Sequence, residues 1–589
     1  MLHRRILHYY VQLLEHYALD ACDVTLAELA ELFSCTPRHV RALLKQMQRQ
    51  GWVSWQASIG RGHRSILQCL ISQKELQQQQ LRQLVEQGKL AEALQLAGEA
   101  PQQLHQRLVE KLGFSTQHGQ QILRVPYYRQ MPNLDPSQWL RRSEHHLLRQ
   151  IFNGLTRFKE ETPYVGADLA HHWHQRDALT WQFYLRPSVY FHNGQRLQAE
   201  DIVASLIRAR SHALLSNIQQ VQCAAGQVTI KLSEPLPNLP LLLALPSALI
   251  TPANQAEIAN FASHPIGTGP YQVIKNDAWH LKFQAFEHYF GWRGLLDEIE
   301  IIHLPDASTS SDHTQQPPLM HGPSAWLSSR CSDDAQFQSR SITPEQPSSV
   351  STQEMFLEQG GYFLLCDSVS PLWREPSQRC WLQQLLNPYQ LATHLSPNFR
   401  HLWVPTTSLL PSWHHRLMTS PSCSPFTDMD TSSWGSITLG FYADHPEFKM
   451  LAHIMRQCLA TQQIHLKIIE LPYSQWVNAQ AQVDIWLGTV NFPAPEAWHV
   501  GTWLLATPLL RQMISGGDMQ QLEIWQQHWQ NGQYSSEQLL AKIVQSGWLQ
   551  PLFHHWMKLS GPKQAHGFHL NNLGWFDFQS TWFEPPSLA

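Results

Sequence analysis

Apolar residues recur at helical spacing through the opening of the chain. Ile6, Leu7, Tyr10, Val11 and Leu14 predict a first helix, and Leu26, Leu29, Ala30 and Phe33 mark the inner face of a second. Thr25 with Glu28 three residues later forms a capping box at the start of that second helix. After the turn "SCT", Thr36 is placed as N-cap and Pro37 as first helical residue of "PRHVRALLKQMQRQ". Val40, Leu43, Leu44 and Met47 then point inward, leaving Arg38, His39, Arg41, Ala42 and Lys45 outward. "GWVSW" and "SILQCLI" read as two short strands around "IGRGHR". Two helices, a tight turn and a hairpin make a winged helix-turn-helix, with Arg61, Gly62, His63 and Arg64 at the hairpin tip.

The rhythm changes twice more. Residues 73–121 carry Leu81, Leu84, Val85, Leu90, Leu94 and Leu104 at helical spacing, broken near Gly88 and from Gly98 to Pro101, and predict a helical connector. From about Ile122 strands and helices alternate with many turns. "YFHNGQRLQAEDIVASL", Tyr190 to Leu206, is a strand end, an Asn-Gly turn and a helix opened by Glu200 and Asp201. The stretch 306–353 is rich in Ser, Gln and Pro and reads as a surface insertion. The expected class is α+β multidomain: residues 1–72 a DNA-binding domain, 73–121 the connector, 122–589 a larger α/β domain.

Charge sharpens the first of these. The chain is mildly acidic at a formal −4, yet from Thr36 to Lys74 there are seven Lys or Arg and no Asp or Glu. Such a face attracts the phosphates of duplex DNA and gains from counterion release. Arg38 and Arg41 are placed to read guanine edges, and Lys45, Arg49 and Arg64 to hold phosphates.

Other chemistry is thinner. The amino-terminal stretch has no continuous apolar core or small-residue cleavage site, and no apolar run reaches the ~18 residues of a membrane span. The nine cysteines are scattered without C-x-x-C, which argues against a disulfide framework or zinc site and for a reducing cytoplasm. Of the 33 histidines several are doublets, and neighbours in sequence point apart on a helix or strand, so no metal is expected. With no G-x-S-x-G, no phosphate loop and no carboxylate pair, neither an enzyme nor a cofactor is expected.

Five motifs in order point to a known scaffold: Leu134-Asp135-Pro136, Phe152 to Leu155, "LRPSVYFHNG" from Leu185, "PIGTGPYQV" from Pro265, and "YFGWRGLLDEIEI" from Tyr289. Together they resemble the family 5 extracellular solute-binding proteins, the oligopeptide and dipeptide receptors of ABC importers. With "QRQGWVSWQASIGRGHRS", "LLPSWHH", "VDIWL" and the closing "LGWFDFQSTWF", nearly the whole sequence resembles the SgrR-type regulators. That resemblance implies a cytoplasmic transcriptional activator of a sugar-phosphate stress response, with promoter DNA as partner, RNA polymerase as a further one, and a small solute sensed in a bilobal cleft. It also implies that the last segment returns to the first lobe. The rival, an importer's binding component, would need an export signal.

One departure bears on the solute. Peptide receptors of the scaffold carry "DYPDP", whose first aspartate pairs with the peptide's amino terminus; here the matching stretch is "NFPAP", Asn491 to Pro495. Without that carboxylate a buried ammonium lacks its strong partner, so a neutral or anionic ligand is expected. Tyr127, Tyr128, Trp413, His414, Asn491, Phe492 and Trp498 are the cleft candidates, since sugar rings stack on aromatic faces.

Overall fold

The structure, a computed structural model, describes residues 2–58, 64–86, 92–93, 96, 113–117, 119–127, 129–159, 165–303, 353–395, 400, 402–414, 434–443, 445–560, 565–567 and 571–584. Of the expected insertion at 306–353 all but Gln353, which begins a strand, lies outside them, as does most of the expected connector after Glu86. The chain divides into two compact units, Met1–Lys111 and Leu112–Ala589.

In the first unit, α1 (Leu2–Tyr17), β1 (Cys22–Val24), α2 (Leu26–Leu32), α3 (Pro37–Arg49), β2 (Val53–Gln56), β3 (Ser65–Cys69) and α4 (Gln73–Glu86) follow in order. The strands form an antiparallel sheet in the order β1-β3-β2. At three residues β1 is too short for alternation to announce it, and the sequence pattern shows only the hairpin strands. Thr25 and Glu28 cap α2 reciprocally, at 2.8 and 3.2 Å, satisfying donors that the helix start would leave unpaired. The inner faces read from the pattern close over one core of Leu13, Leu29, Phe33, Val40, Leu44, Met47, Trp52 and Leu67. Tyr10 fastens α1 to it. Its hydroxyl lies 2.9 Å from the Trp52 carbonyl and 2.7 Å from that of Ile71, and burial pushes the phenol up to about 12.

The second unit begins ten residues before the expected boundary of 122. Strands β4 (Gly113–Gln117) and β5 (Gln120–Tyr127) pair antiparallel. Gly119 at φ +81° turns the chain between them. Of the expected connector, 73–86 is helical, as α4, while its last residues belong to this glycine-turned hairpin instead. These strands sit at the edge of a five-stranded sheet with Tyr271–Asn276, His280–Ala285 and Glu298–His303, the last parallel to β5. A four-stranded antiparallel sheet, Ala170 to Leu232, completes the first lobe. The second lobe, residues 353–560, is built on a larger mixed sheet. Gly360–Cys366 and Ile485–Asn491 are antiparallel neighbours, with Ser436–Tyr442 and His465–Leu471 parallel beyond them. The chain then returns: Trp575, Phe576, Phe578 and Phe583 pack in the first lobe's core with Leu123, Leu147 and Phe283.

The helix α5 (Arg142–Ile151) belongs to that lobe, and the motif "PIGTGPY" braces its end. A Cβ on Gly267 would stand 2.0 Å from the Ile151 carbonyl oxygen, and one on Gly269 2.5 Å from that of Gln150, so only glycine permits this approach. Gly194 turns the Asn-Gly corner at φ +81°, and Asp201 accepts from the Gln198 N–H at 2.8 Å to cap the helix that follows.

Among the described residues, six cysteines are free thiols and Cys380 is disulfide-bonded. The bonded cysteine departs from the expectation of reduced thiols, because scatter along a sequence does not say which sulfurs a fold brings together. No helix among those residues is long and apolar enough to cross a membrane.

Candidate functional site

In the first unit the candidate surface is the outer face of α3. The Thr36 hydroxyl accepts from the His39 N–H at 3.4 Å and starts the helix. Val40, Leu43, Leu44 and Met47 are buried, while Thr36, Arg38, His39, Arg41, Ala42, Lys45 and Arg49 are all exposed. Arg64, expected to hold a phosphate, is exposed and ion-paired. Its guanidinium donates to Glu28 at 2.8 Å and to the Asp23 carbonyl at 3.1 Å, so an exposed carboxylate offsets its charge. Together with the Thr25 N–H, Arg64 holds Glu28 below the usual carboxylate range. Arg61, Gly62 and His63 lie outside the described residues.

In the second unit a cavity of about 240 Å³ opens between the lobes. Its first-lobe wall is the segment 129–149, which contributes Arg129, Arg141, Arg142, His145 and Arg149; the second lobe contributes Tyr442, Tyr473, Asn491 and His499. Four arginines and no Asp or Glu are among its lining residues.

Three of these arginines are anchored in place. Arg129 grips Glu144 through two nitrogens, at 2.5 and 2.7 Å. Burial would raise the Glu144 carboxyl, but Arg129 outweighs it and the group stays below its ordinary range. Arg141 reaches from the first lobe to lie 5.1 Å from the ring centres of both Tyr442 and Tyr473 in the second. Arg142 donates to the Asn491 side-chain oxygen at 2.9 Å, across the lobes. The Asn491 amide then donates to Glu358 at 2.8 Å, and burial pushes that carboxyl up to about 7.

This relay refines the reading of "NFPAP". A carboxylate is present, but Glu358 is 3% exposed and stands behind Asn491. The Asn491 oxygen meanwhile faces a guanidinium. An ammonium arriving here would meet a cation first, and its nearest acid is already covered.

Of the residues expected at the cleft, Tyr127, Asn491 and Phe492 line the cavity. Tyr128 lies outside the described residues. Trp413 is buried in the large second core, and His414 sits 3.3 Å from both the Tyr389 hydroxyl and Thr406 Oγ1. Trp498 stacks near Trp529 at 4.5 Å. None of these three is among the lining residues, because an aromatic side chain serves a core as readily as a cleft. Sequence reasoning missed the arginines and the histidines His145, His212, His445 and His499. A signal was there: four arginines fall between 129 and 149. The doublet His145-His146 does point apart, His145 to the cavity and His146 stacked on Trp575 at 5.2 Å. Among the described residues no group of three or more His, Cys, Asp or Glu is placed to hold a metal ion.

A helix-turn-helix unit in one chain with a bilobal α/β fold closing on a charged cavity defines a two-part protein of the regulator type. Residues 5–119 match the family model described as sugar transport-related sRNA regulator N-term, and residues 165–316 that of bacterial extracellular solute-binding proteins, family 5 middle. The chain is 39% identical over 583 residues to the HTH-type transcriptional regulator SgrR of Pectobacterium atrosepticum, covering 99% of each. It is 40% identical over 568 residues to that of Escherichia coli K12, covering 96% of each. The chain belongs to the SgrR family of HTH-type transcriptional regulators. Solved structures agree on the fold: Burkholderia pseudomallei OppA aligns at TM-score 0.57 and 15% identity, over 80% of this chain and 100% of that one. The E. coli murein tripeptide binding protein MppA aligns at 0.56 and 14%, over 80% and 99%.

Proposed function

We propose that this regulator works in the cytoplasm, binds promoter DNA through the outer face of α3, and senses a small anionic solute, a sugar phosphate, in the cleft of its second unit. The acid-free, arginine-lined cavity carries the reading. A wall of one sign concentrates ligands of the other, and guanidinium groups suit phosphate oxygens. The tyrosine faces of the second lobe suit the uncharged part of such a ligand. Its task is binding rather than catalysis: ligand shifts the population of lobe arrangements, and that shift alters promoter affinity or the engagement of RNA polymerase.

On DNA, Arg38 and Arg41 lie one helical turn apart and exposed on α3, the placement that base reading from a major groove requires. Lys45 and Arg49 continue the same basic surface toward the backbone. A gel-shift titration at the protein's own upstream region, across salt concentrations and with or without glucose 6-phosphate, tests both halves. Arg38→Ala with Arg41→Ala is expected to weaken specific binding at least ~10-fold, and Lys45→Ala with Arg49→Ala to flatten the log-log salt dependence by up to about 0.9 for each phosphate no longer neutralised. Unchanged occupancy and slope would reject α3 as the DNA surface. Unchanged affinity and transcription with saturating sugar phosphate would reject the sensor.

A further inference from the structure

Two helices from opposite walls of the cavity bring three nitrogen-bearing side chains together. On α5, His145 and Arg149 are four residues apart and so project from the same face. From the facing lobe, the helix Glu496–Ala506 contributes His499, and all three line the one cavity. Burial pushes His145 down to about 4, with Glu144 opposing the fall and Arg149 adding to it; burial pushes His499 well below its ordinary range, with Arg149 and His145 adding to it. The Nε2 atom of His499, a residue only 8% exposed, has no hydrogen-bond partner. A buried polar nitrogen in that state costs free energy until something takes it up.

The surroundings say what would. Arg129, Arg141 and Arg142 face the cavity from the same wall as His145, with His212 and His445 elsewhere on its lining. The carboxylates behind that lining each face a partner: Glu144 faces Arg129, one oxygen of Glu358 faces Asn491, and Glu447 faces His445. Arginines crowd one wall of the cavity opposite neutral imidazoles, no acid is among the lining residues, and the buried Nε2 of His499 is unsatisfied. An anion answers all three conditions.

We propose that His145, Arg149 and His499 form an anion slot that draws the two lobes together on a phosphoryl dianion, and that filling it takes one proton onto the histidine pair. The inference rests on reading the cleft as a ligand site and adds which atoms hold the charged end. Before binding the imidazoles are neutral, chiefly because they are buried, and Arg149 adds to this. A dianion reverses that balance: one imidazole becomes imidazolium and donates to an anionic oxygen, and the other donates as a neutral N–H. Proton uptake on binding makes the affinity rise as pH falls, about tenfold per pH unit for each full proton. A phosphomonoester also titrates near pH 6, so sulfate, dianionic throughout the range, isolates the protein's own proton.

The test is calorimetric titration of the full chain with sodium sulfate between pH 6 and 8, each pH in two buffers of different ionisation enthalpy. Sulfate is expected to bind several-fold to tenfold more tightly for each unit the pH is lowered, with proton uptake visible as a buffer-dependent heat. His499→Gln, with His145→Gln as a second variant should the first fail to fold, is expected to weaken sulfate at least ~10-fold and abolish the buffer dependence. Absent sulfate binding at tens of millimolar, pH-independent binding, or binding unchanged in both variants would overturn the slot. Glucose 6-phosphate titrated in parallel separates the two readings: if sulfate behaves as expected and the sugar phosphate does not bind, the slot stands and the sugar-phosphate ligand falls.

Discussion

The face of α3 and the wall of the cleft both gather arginine, and they keep it in opposite surroundings. Arg38, Arg41, Lys45 and Arg49 stand in water, where salt screens them over a Debye length of about 8 Å at physiological ionic strength. The core of the first unit closes without them, so they are available to a partner at little conformational cost. In the cleft, Arg129 and Glu144 have side chains only 9% and 7% exposed, and Arg142 joins one lobe to the other through Asn491. The contrast teaches that one residue type can be a surface for recognition or a structural element, and that solvent decides which. A charge left in water can be removed without harm to the fold; a charge taken out of water cannot.

Acidification should show the largest effect. His146 and His554, each 1% exposed, are driven by burial to about 3 and about 4. Both are neutral when folded and protonated when unfolded, so their contribution is present above about pH 6.5 and is lost as pH falls through those folded values, on the order of 3 kcal/mol each. Glu358 and Asp168, raised by burial to about 7 and about 6, act in the opposite sense and by similar amounts, so the net loss rests on the further buried histidines His192 and His212, each also driven by burial to about 4. Hydrogen exchange of the strand Gly360–Cys366 should reveal loosening between pH 6.5 and 4 ahead of any change in α3; simultaneous loss in both units would break the contrast.

Removing one buried partner comes next. Arg129→Met strands Glu144 and should cost about 3–5 kcal/mol in a urea melt; a loss below ~1 kcal/mol would show that water reaches the pair. The smallest change belongs to the exposed helix. Lys45→Ala should alter stability by less than about 0.5 kcal/mol while weakening promoter binding, and a larger destabilisation would mean that α3's outer face is part of the fold after all.

What could be read in the sequence was local. Thr25 with Glu28, Thr36 with Pro37, and Asn193 with Gly194 each set a turn or helix start within four residues, and each is found as read. Strand β1 was invisible because three residues carry no period, and the hairpin β4–β5 because its leucine-rich neighbourhood reads as helix. The cleft was only partly legible. Asn491 and Tyr127 stood out by motif and by aromaticity, but the arginines' meaning depends on Tyr442, Tyr473 and His499, which approach only when the lobes fold together. Trp413 and Trp498 misled for the same reason in reverse, since no local pattern separates a ring that stacks on a ligand from one that fills a core.

The returning segment has a consequence for synthesis. Asn571 hydrogen-bonds His146 across 425 residues of chain, and the Phe578 carbonyl receives the Tyr271 hydroxyl across 307. A ribosome therefore delivers a finished helix-turn-helix long before it delivers the piece that seals the first lobe. On the function proposed above, the nascent chain carries its DNA-binding face before it carries a complete pocket for the signal.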